Sequence, residues 1–443
     1  MVEKLCSVGL DVGTTTTQLI VSQLQIQNRA SSFSVPEMEI AQRRILYKSP
    51  IHFTPLLSAD LVDGEGIRRI VEAEYEKAGI SRDRVDTGAI IITGETSRKE
   101  NARAVLDALS ELAGDFVVAT AGPDLESVLA AKGAGADEYS EKTGETVLHM
   151  DIGGGTSNLA LIRDGKIVRT GCLNVGGRLL KFDKNGVITY ISPVLQGYFS
   201  GKVGDKPSVP MLEKLADVLV AALQMAAGLQ QPTDMLSHFL TAEAGKTWEI
   251  PAERVTLSFS GGVADCIETK HAPFDFGDMG PILGRTIKNS SLCAGKYRLG
   301  AETIRATVIG AGCHSAQLSG STVFYQNMEF PLKNLPVVHK IEDLACLDGP
   351  GVLALPGISA AHYGQIRQLA DEIAARWPTQ SIWIALEADM AKALGHALAL
   401  RFPADRPILC IDRVKLEENS YLDVGVPLSS AIPVIVKTLI LNR

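Results

Sequence analysis

A short motif that occurs twice is the feature that most constrains how this chain can fold. The stretch "DVGTTTTQLIV" begins at Asp11 and "DIGGGTSNLAL" begins at Asp151, and each joins a carboxylate to a Thr- or Gly-rich turn between two apolar runs. The copies lie 140 residues apart, whereas the repeat units of solenoid proteins span about 20–50 residues. The motif therefore predicts two similar α/β domains, each opening with a strand–turn–strand unit.

The remainder of the chain supports an α/β fold class. Strand-like runs such as "GAIIITGE" alternate with helical stretches such as "SRKENARAVLDALSELAG", and Asp164 with Gly165 predicts a β-hairpin turn because this pair accepts positive φ angles. The same alternation resumes after about residue 335. The expected parts are residues 1–145, residues 146–330 with an inserted subdomain at about 184–254, and a C-terminal α/β segment at 331–443 whose role the sequence leaves open.

The composition excludes several classes of protein. The 443 residues include 43 basic and 51 acidic side chains, and a net charge of -8 without a basic tract argues against binding to nucleic acid or anionic membranes. We find no leader-like start and no apolar run of about 18 residues, so we expect a cytoplasmic protein that does not enter a membrane. The seven cysteines form no C-x-x-C pair, which argues against a disulfide framework, a zinc site or an iron–sulfur cluster.

Glycine-rich turns that follow a carboxylate favour phosphate binding. Without side chains, successive backbone N–H groups can point at an anion, and Thr hydroxyls add further donors. The expected phosphate ligands are Gly13, Thr14, Thr15 and Thr16 in the first turn and Gly153, Gly154, Gly155 and Thr156 in the second. We expect Asp11 and Asp151 to hold Mg²⁺ beside the phosphates, because this ion is usually bound by one or two carboxylates together with phosphate oxygens.

A third glycine motif extends this interpretation to a whole nucleotide. The stretch "TLSFSGGVAD", residues 256–265, is an apolar strand that ends in Gly261 and Gly262, where a flat ring could lie on the backbone. Neither the G-x-x-x-x-G-K-[ST] motif nor a G-x-G-x-x-G motif between a strand and a helix occurs in the chain. Together the three motifs predict a nucleotide site formed by two lobes.

These motifs resemble those of the superfamily of actin, the seventy-kilodalton heat-shock chaperones and the sugar kinases. "GLDVGTTTT" is similar to its first phosphate motif, "MDIGGGTSNLAL" to its second and "LSFSGGVA" to its adenosine motif, in the same order. "LNVGGRLLKFD", with Gly176 and Gly177, is similar to the continuation of the second motif, although Arg178 stands where the chaperones usually have an acid. The resemblance implies ribonuclease H-like lobes, a nucleotide cleft between them and two connecting helices of small residues.

One departure from the superfamily concerns catalysis. The relatives carry a carboxylate or amide on the first connecting segment, where it orients the attacking water or receives a proton. The matching position here falls at Gly122, and the nearest carboxylates are Asp124 and Glu126, either of which could take that role. We therefore expect slow ATP hydrolysis, with the nucleotide acting as a conformational switch.

Longer strings resemble the reactivating factors of ethanolamine ammonia-lyase. They are "GAIIITGETSRKENA", "FVVATAGPDLESVLAAKGAGA", "MDIGGGTSNLALI" and the tail "SYLDVGVPL" with "IPVIVKTLI". The resemblance implies a chaperone-like ATPase that binds lyase carrying damaged cobalamin and uses ATP to release it, so that intact adenosylcobalamin enters. It also implies an ethanolamine-utilisation setting, in or beside a bacterial microcompartment. A homodimer is one open oligomeric state.

Alternative functions follow from the same motifs. The first alternative is a small-molecule kinase, which needs a carboxylate base that "TAGP" lacks. A filament-forming protein of the actin type would self-associate with nucleotide, and a reductive dehydratase activator would need clustered cysteines. Among other residues, we expect His149 to be packed rather than to act as a base, and "YLDVG" at 421–425 to be a loop.

Overall fold

Contacts divide the chain into two compact units. One comprises residues 1–92, 96–120 and 315–443, and the other comprises residues 93–95 and 121–314. The three-part division at residues 145 and 330 stays a prediction. The computed structural model describes residues 3–13, 16–28, 38–58, 61–81, 84–92, 109, 117–120, 123–241, 248–252, 254–314, 317–319, 322–347, 349–377, 381–416, 420–427 and 432–438.

The first unit begins with a mixed sheet. Its early elements are β1 (Glu3–Val12), β2 (Thr16–Asn28), β3 (Met38–Lys48), β4 (His52–Phe53), β5 (Leu56–Ser58), β6 (Leu61–Val62), α1 (Gly64–Ala78), β7 (Thr87–Ile92) and β8 (Val117–Thr120). The strand order is β3-β2-β1-β7-β8, with β1, β2 and β3 antiparallel and β1, β7 and β8 parallel. Alternate residues of β1, such as Val8 and Leu10, are buried and pack towards α1, as the period of two along a strand requires.

The second unit repeats this arrangement. Its elements are α2 (Pro123–Gly133), α3 (Ala136–Thr143), β9 (Val147–Ile152), β10 (Ser157–Arg163), β11 (Lys166–Leu173), β12 (Leu180–Phe182), β13 (Ile188–Ile191), α4 (Val209–Ala226), α5 (Asp234–Phe239), β14 (Thr256–Ser260), α6 (Gly262–Glu268), α7 (Gly280–Lys288), β15 (Tyr297–Leu299) and α8 (Ala306–His314). The main sheet has the order β11-β10-β9-β14-β15, in which β9, β10 and β11 are antiparallel and β9, β14 and β15 are parallel.

The two sheets therefore share one topology. In each sheet, the second and third strands follow one another, antiparallel, on one side of the first strand. Two further strands lie on its other side and run parallel to it. This order, 3-2-1-4-5 in each unit, confirms the predicted α/β class with two actin-like, ribonuclease H-like lobes. The predicted hairpin turn is also confirmed, because Asp164 and Gly165 have φ angles of 49° and 73° between β10 and β11.

Helices α2 and α8 pack at very short range. A Cβ added to Gly133 of α2 would lie 1.8 Å from the carbonyl oxygen of Ala306, and one added to Gly310 of α8 would lie 2.1 Å from that of Leu129. Any side chain at either position would overlap backbone atoms of the other helix. The small residues expected in the connecting helices are thus required where these two helices touch.

The C-terminal part forms a third sheet within the first unit. Its elements are β16 (Gln317–Leu318), β17 (Phe324–Gln326), β18 (Leu332–Val338), β19 (Val352–Leu355), α9 (Tyr363–Arg376), β20 (Ile382–Leu386), α10 (Ala391–Ala399), β21 (Ile408–Ile411), β22 (Ser420–Val424) and β23 (Pro433–Thr438). The order is β16-β23-β22-β18-β19-β20-β21-β17, and β18 to β21 are parallel. In the part of the chain that is described, no helix has the length and apolar character needed to cross a membrane.

The expectation that "YLDVG" forms a loop was wrong. These residues lie in and just after β22, which pairs antiparallel with both β18 and β23. Leu422 and Val424 are fully buried in the core on one face of the C-terminal sheet. The alternating apolar side chains therefore decide the structure, because Gly425 falls only after the strand has ended.

Candidate functional site

The second glycine-rich turn joins β9 to β10. It is closed by a hydrogen bond of 2.9 Å from the amide of Gly153 to the carbonyl oxygen of Thr156. No glycine from 153 to 155 has a positive φ angle, so the turn does not need glycine for its conformation. A Cβ on Gly155 would meet no atom within 4 Å, and one on Gly153 would make only an ordinary contact of 3.5 Å. Glycine at these two positions leaves bare backbone that nothing in the described structure fills.

A second glycine segment packs directly on this turn. The amide of Gly177 donates to the carbonyl oxygen of Gly153 at 3.0 Å, and the amide of Arg178 donates to that of Gly154 at 2.6 Å. A Cβ on Gly176 would lie 2.2 Å from the Gly154 carbonyl oxygen. Unlike Gly155, Gly176 is therefore required by packing, and the segment fixes the outer side of the turn.

The predicted adenosine motif reaches the same place. Gly261, directly after β14, has a φ angle of 88°, and a Cβ there would lie 2.3 Å from the carbonyl oxygen of Ile152 at the end of β9. Its amide donates to the Thr303 carbonyl oxygen at 3.0 Å, and Gly262 begins α6. The structure thus brings three glycine segments, which lie far apart in sequence, to the carboxyl end of one strand.

Asp151 lies in β9 next to these segments and is only 8% exposed. The Ser260 hydroxyl donates to its Oδ1 at 2.5 Å, and the Thr307 hydroxyl of α8 donates to its Oδ2 at 3.5 Å. Burial raises the pKa of Asp151 to about 6, although the two hydroxyl groups act in the opposite direction. The carboxylate is therefore held by two donors from different elements at the end of the sheet.

His149 extends this network into the core. It is fully buried, with Nε2 at 2.9 Å from the Ser260 hydroxyl oxygen and Nδ1 at 3.1 Å from that of Ser258. Because Ser260 gives its only proton to Asp151, it accepts from His149 Nε2, and the neutral ring then accepts from Ser258 at Nδ1. Burial lowers the pKa of His149 to about 3, and the positive charge of Arg298 acts in the same direction. His149 is packed, as expected, but it also orients the Asp151 donor.

Sequence reasoning missed this network. Its signal lies in the parallel register of β9 and β14, which places His149 beside Ser258 and Asp151 beside Ser260. The patterns "HMD" and "SFS" have the matching period of two, but only the pairing shows that they face each other.

Arg178 has a partner that the sequence did not indicate. Its Nε donates to Asp278 Oδ2 at 3.1 Å, and Asp278 Oδ1 accepts from the Gly280 amide at 2.8 Å. The aliphatic part of Arg178 covers Gly154, since a Cβ on that glycine would lie 3.1 Å from Arg178 Cδ. Arg178, which departs from the chaperone pattern, is thus held beside the second glycine-rich turn by Asp278.

The first turn, in the other unit, has the same closing bond. The amide of Gly13 donates to the carbonyl oxygen of Thr16 at 2.9 Å, which matches the bond in the second turn. The Thr54 hydroxyl donates to the Gly13 carbonyl oxygen at 2.7 Å. Asp11 lies in β1 opposite Gln18 and is partly exposed. Thr14 and Thr15 lie outside the described residues.

The two candidate catalytic carboxylates both belong to α2. Glu126, on α2, is buried and its Oε2 accepts from the Asn158 side-chain amide of β10 at 2.8 Å. Asp124 lies in the first turn of α2, and its side chain is outside the described part. Within the described residues, no group of three or more His, Cys, Asp or Glu side chains could hold a metal ion.

Comparison with known proteins identifies one family along nearly the whole chain. The family model "Ethanolamine utilisation protein EutA" matches residues 3–349 and 346–442. Two curated relatives, the proteins named ethanolamine ammonia-lyase reactivase EutA from Salmonella typhimurium and Escherichia coli, are each 38% identical, with 98% of both chains covered.

Solved structures are much less similar. An exopolyphosphatase from Cytophaga hutchinsonii is 12% identical with a TM-score of 0.39, over 69% of this chain and 96% of that one. A similarity at this level carries no information about function. The family match and the two curated relatives do, and the chain belongs to the family of ethanolamine utilisation protein EutA.

Proposed function

We propose that this protein is an ATP-dependent reactivating factor for ethanolamine ammonia-lyase. In this role it binds lyase that carries damaged cobalamin and promotes its release, so that intact adenosylcobalamin can bind. The observation that carries the proposal is 38% identity, over 98% of the chain, to relatives named as reactivases of that lyase. The three glycine segments around Asp151 supply the place where ATP would act.

The second turn is suited to bind phosphate. The Gly153 amide closes the turn, bare backbone at Gly155 leaves space for an anion beside it, and the 176–178 segment holds the turn in place by two hydrogen bonds. A phosphate there gains backbone donors without displacing any side chain of the described structure. Gly261 and Gly262 would lie against the adenosine, and the close packing of Gly261 on the Ile152 backbone holds this segment at the end of β9.

Asp151 and Asp11 are the residues that would hold Mg²⁺. The hard oxygen atoms of two carboxylates and the phosphates suit this ion, which when bound would neutralise phosphate charge. The fit rests on Asp151, whose oxygens accept from Ser260 and Thr307 and therefore stay oriented in spite of burial. The ion would add the positive charge that a buried carboxylate needs.

The nucleotide acts as a switch with slow hydrolysis. Reversal of a two-state equilibrium from about 1:99 to 99:1 needs about 5.5 kcal/mol of differential binding. A few charge-assisted hydrogen bonds to the γ-phosphate, at about 1.5–3 kcal/mol each, supply this difference between ATP and ADP. Thr307 would pass the change from Asp151 to α8, and the close packing of Gly310 would pass it to α2. Glu126 or Asp124 would orient the attacking water.

Reactivation of the lyase tests the proposal directly. Ethanolamine ammonia-lyase inactivated by bound cyanocobalamin is mixed with the protein, ATP, Mg²⁺ and adenosylcobalamin, and ethanolamine deamination is followed. We expect activity to return with ATP and not without nucleotide. A lyase that stays inactive, although ATP is bound, would contradict the proposed partner and leave the nucleotide site standing.

The setting and the assembly are part of the proposal. We place the protein in the cytoplasm, in or beside a bacterial microcompartment, with no role in binding nucleic acid or membranes. Fractionation of cells grown on ethanolamine tests the location. Light scattering with ATP and with ADP tests the homodimer and would also reveal filaments.

A further inference from the structure

A second cluster of charged residues lies at the C-terminal sheet, remote in sequence from every nucleotide motif. Asp412 directly follows β21, and Asp389 follows β20 by three residues. Because β20 and β21 are parallel neighbours, both carboxylates lie at the carboxyl edge of the sheet, where α/β proteins commonly bind ligands. Thr322, just before β17, completes the cluster.

The Thr322 hydroxyl is shared between two carboxylates. It contacts Asp389 Oδ1 at 2.9 Å and also contacts Asp412 Oδ2. A hydroxyl has one proton, so it can donate to only one of these oxygens. At the other contact two acceptors face each other without a proton, which is unfavourable unless a positive charge lies between them.

One of the two oxygen atoms of Asp412 is left without a partner in the described part of the chain. Asp412 is completely buried, and among the described residues its Oδ1 has no hydrogen-bond donor. Its Oδ2 also accepts from the Ala391 amide at the start of α10, at 3.1 Å. The positive charge of Arg413 acts on Asp412 from nearby, and its guanidinium donates to Asp389 Oδ2 at 3.0 Å. A buried carboxylate oxygen without a partner carries a large desolvation cost.

We propose that Asp412, Asp389 and Thr322 bind a Mg²⁺ ion that is separate from the nucleotide. The ligands are hard oxygen atoms, and the described part of the chain offers no third carboxylate, imidazole or thiolate here. Mg²⁺ suits such a set because it keeps several waters and needs only one or two carboxylates, whereas Ca²⁺ takes six to eight oxygen ligands. Asp389 is 41% exposed, which gives the ion a path from solvent.

Calorimetric titration of the nucleotide-free protein with MgCl₂ tests the site. We expect one Mg²⁺ per chain, and we expect Asp151→Asn to keep it, because the Mg²⁺ proposed at the phosphates depends on nucleotide. Asp412→Asn should abolish the binding. Asp389→Asn, at a half-exposed position, should weaken it about tenfold or more, as loss of one charged contact implies.

Three results would overturn the site. They are no saturable Mg²⁺ binding by the nucleotide-free protein, wild-type binding by Asp389→Asn, and loss of binding in Asp151→Asn. The first result would mean that a proton fills the gap between the carboxylates. Because ATP is absent throughout, failure of this proposal is distinguishable from failure of the proposed nucleotide site.

Discussion

The two glycine- and threonine-rich turns have the same closing hydrogen bond but different surroundings. Both connect the first two strands of a 3-2-1-4-5 sheet, and both are closed by a hydrogen bond of 2.9 Å across the turn. The second turn carries Asp151 in a buried network, whereas Asp11 beside the first turn is partly exposed. The same closing hydrogen bond therefore does not make the two sites equivalent, because the surrounding elements differ around each carboxylate.

The largest expected effect is on ATP binding, and it should differ between the carboxylates Asp151 and Asp11. Asp151→Asn should weaken Mg²⁺-dependent ATP binding about 10–100-fold, which corresponds to one lost charge-assisted contact, and Asp11→Asn should weaken it less because that side chain is partly exposed. Fluorescent-nucleotide titration with and without Mg²⁺ measures both. Normal affinity in both variants would contradict the nucleotide site, and equal losses would contradict the asymmetry.

A methyl group on Gly176 should disturb the second turn itself. Gly176→Ala places Cβ against the Gly154 carbonyl oxygen, so the turn must move. We expect the free energy of unfolding to fall by about 1–3 kcal/mol, as overpacking usually costs. Urea denaturation measures this change. A variant with wild-type stability would show that the 176–178 segment does not fix the turn.

Gly155→Ala is the matched control, because a Cβ at Gly155 meets nothing within 4 Å. Its free energy of unfolding should stay within about 0.5 kcal/mol of wild type, as for an ordinary surface change. Its ATP affinity should nevertheless fall, since the methyl group occupies backbone that we assign to phosphate. Titration of both variants under one condition decides this, and unchanged affinity would remove Gly155 from the site.

The smallest effect concerns pH and involves only the second turn. His149 has a pKa of about 3 in the folded protein and an ordinary value of 6.5, so the unfolded chain binds more protons between these values. The contribution of His149 to stability should therefore be lost as pH falls below about 6.5, whereas Asp151, with its pKa raised to about 6, binds a proton in the folded state and offsets part of this loss. His149→Gln should lose less over the same range. Thermal unfolding at pH 7 and pH 5 measures the difference, and parallel profiles would contradict a neutral buried imidazole.

The sequence predicted what depends on short stretches of chain. The Asp164-Gly165 turn and the paired motifs at Asp11 and Asp151 carry local signals, and these signals were sufficient for the α/β class and for two similar lobes that each open with a hairpin, whereas the strand order was implied by the superfamily resemblance. β22 was missed because its structure depends on pairing with β18 and β23, which lie far away in sequence. A loop and a strand that ends in glycine look alike in isolation.

In the candidate site, too, features with a local sequence signal were predicted and contacts between distant segments were not. Glycine positions in the motifs were predicted, but their physical roles differ, since Gly176 and Gly261 are required by packing and Gly155 is not. The contacts of Asp151 with Ser260 and Thr307 join three separate elements, and no single stretch of sequence contains that information. The same holds for Arg178 and Asp278, which lie 100 residues apart.

The glycine contacts between α2 and α8 have a mechanical consequence. Gly133 meets the backbone at Ala306, and Gly310 meets the backbone at Leu129, so the helices touch at two points without an intervening side chain. At these two contacts there is no side chain whose change of rotamer could loosen the packing. We therefore expect the two helices to move together, so that a displacement of α8 at Thr307 would also move α2.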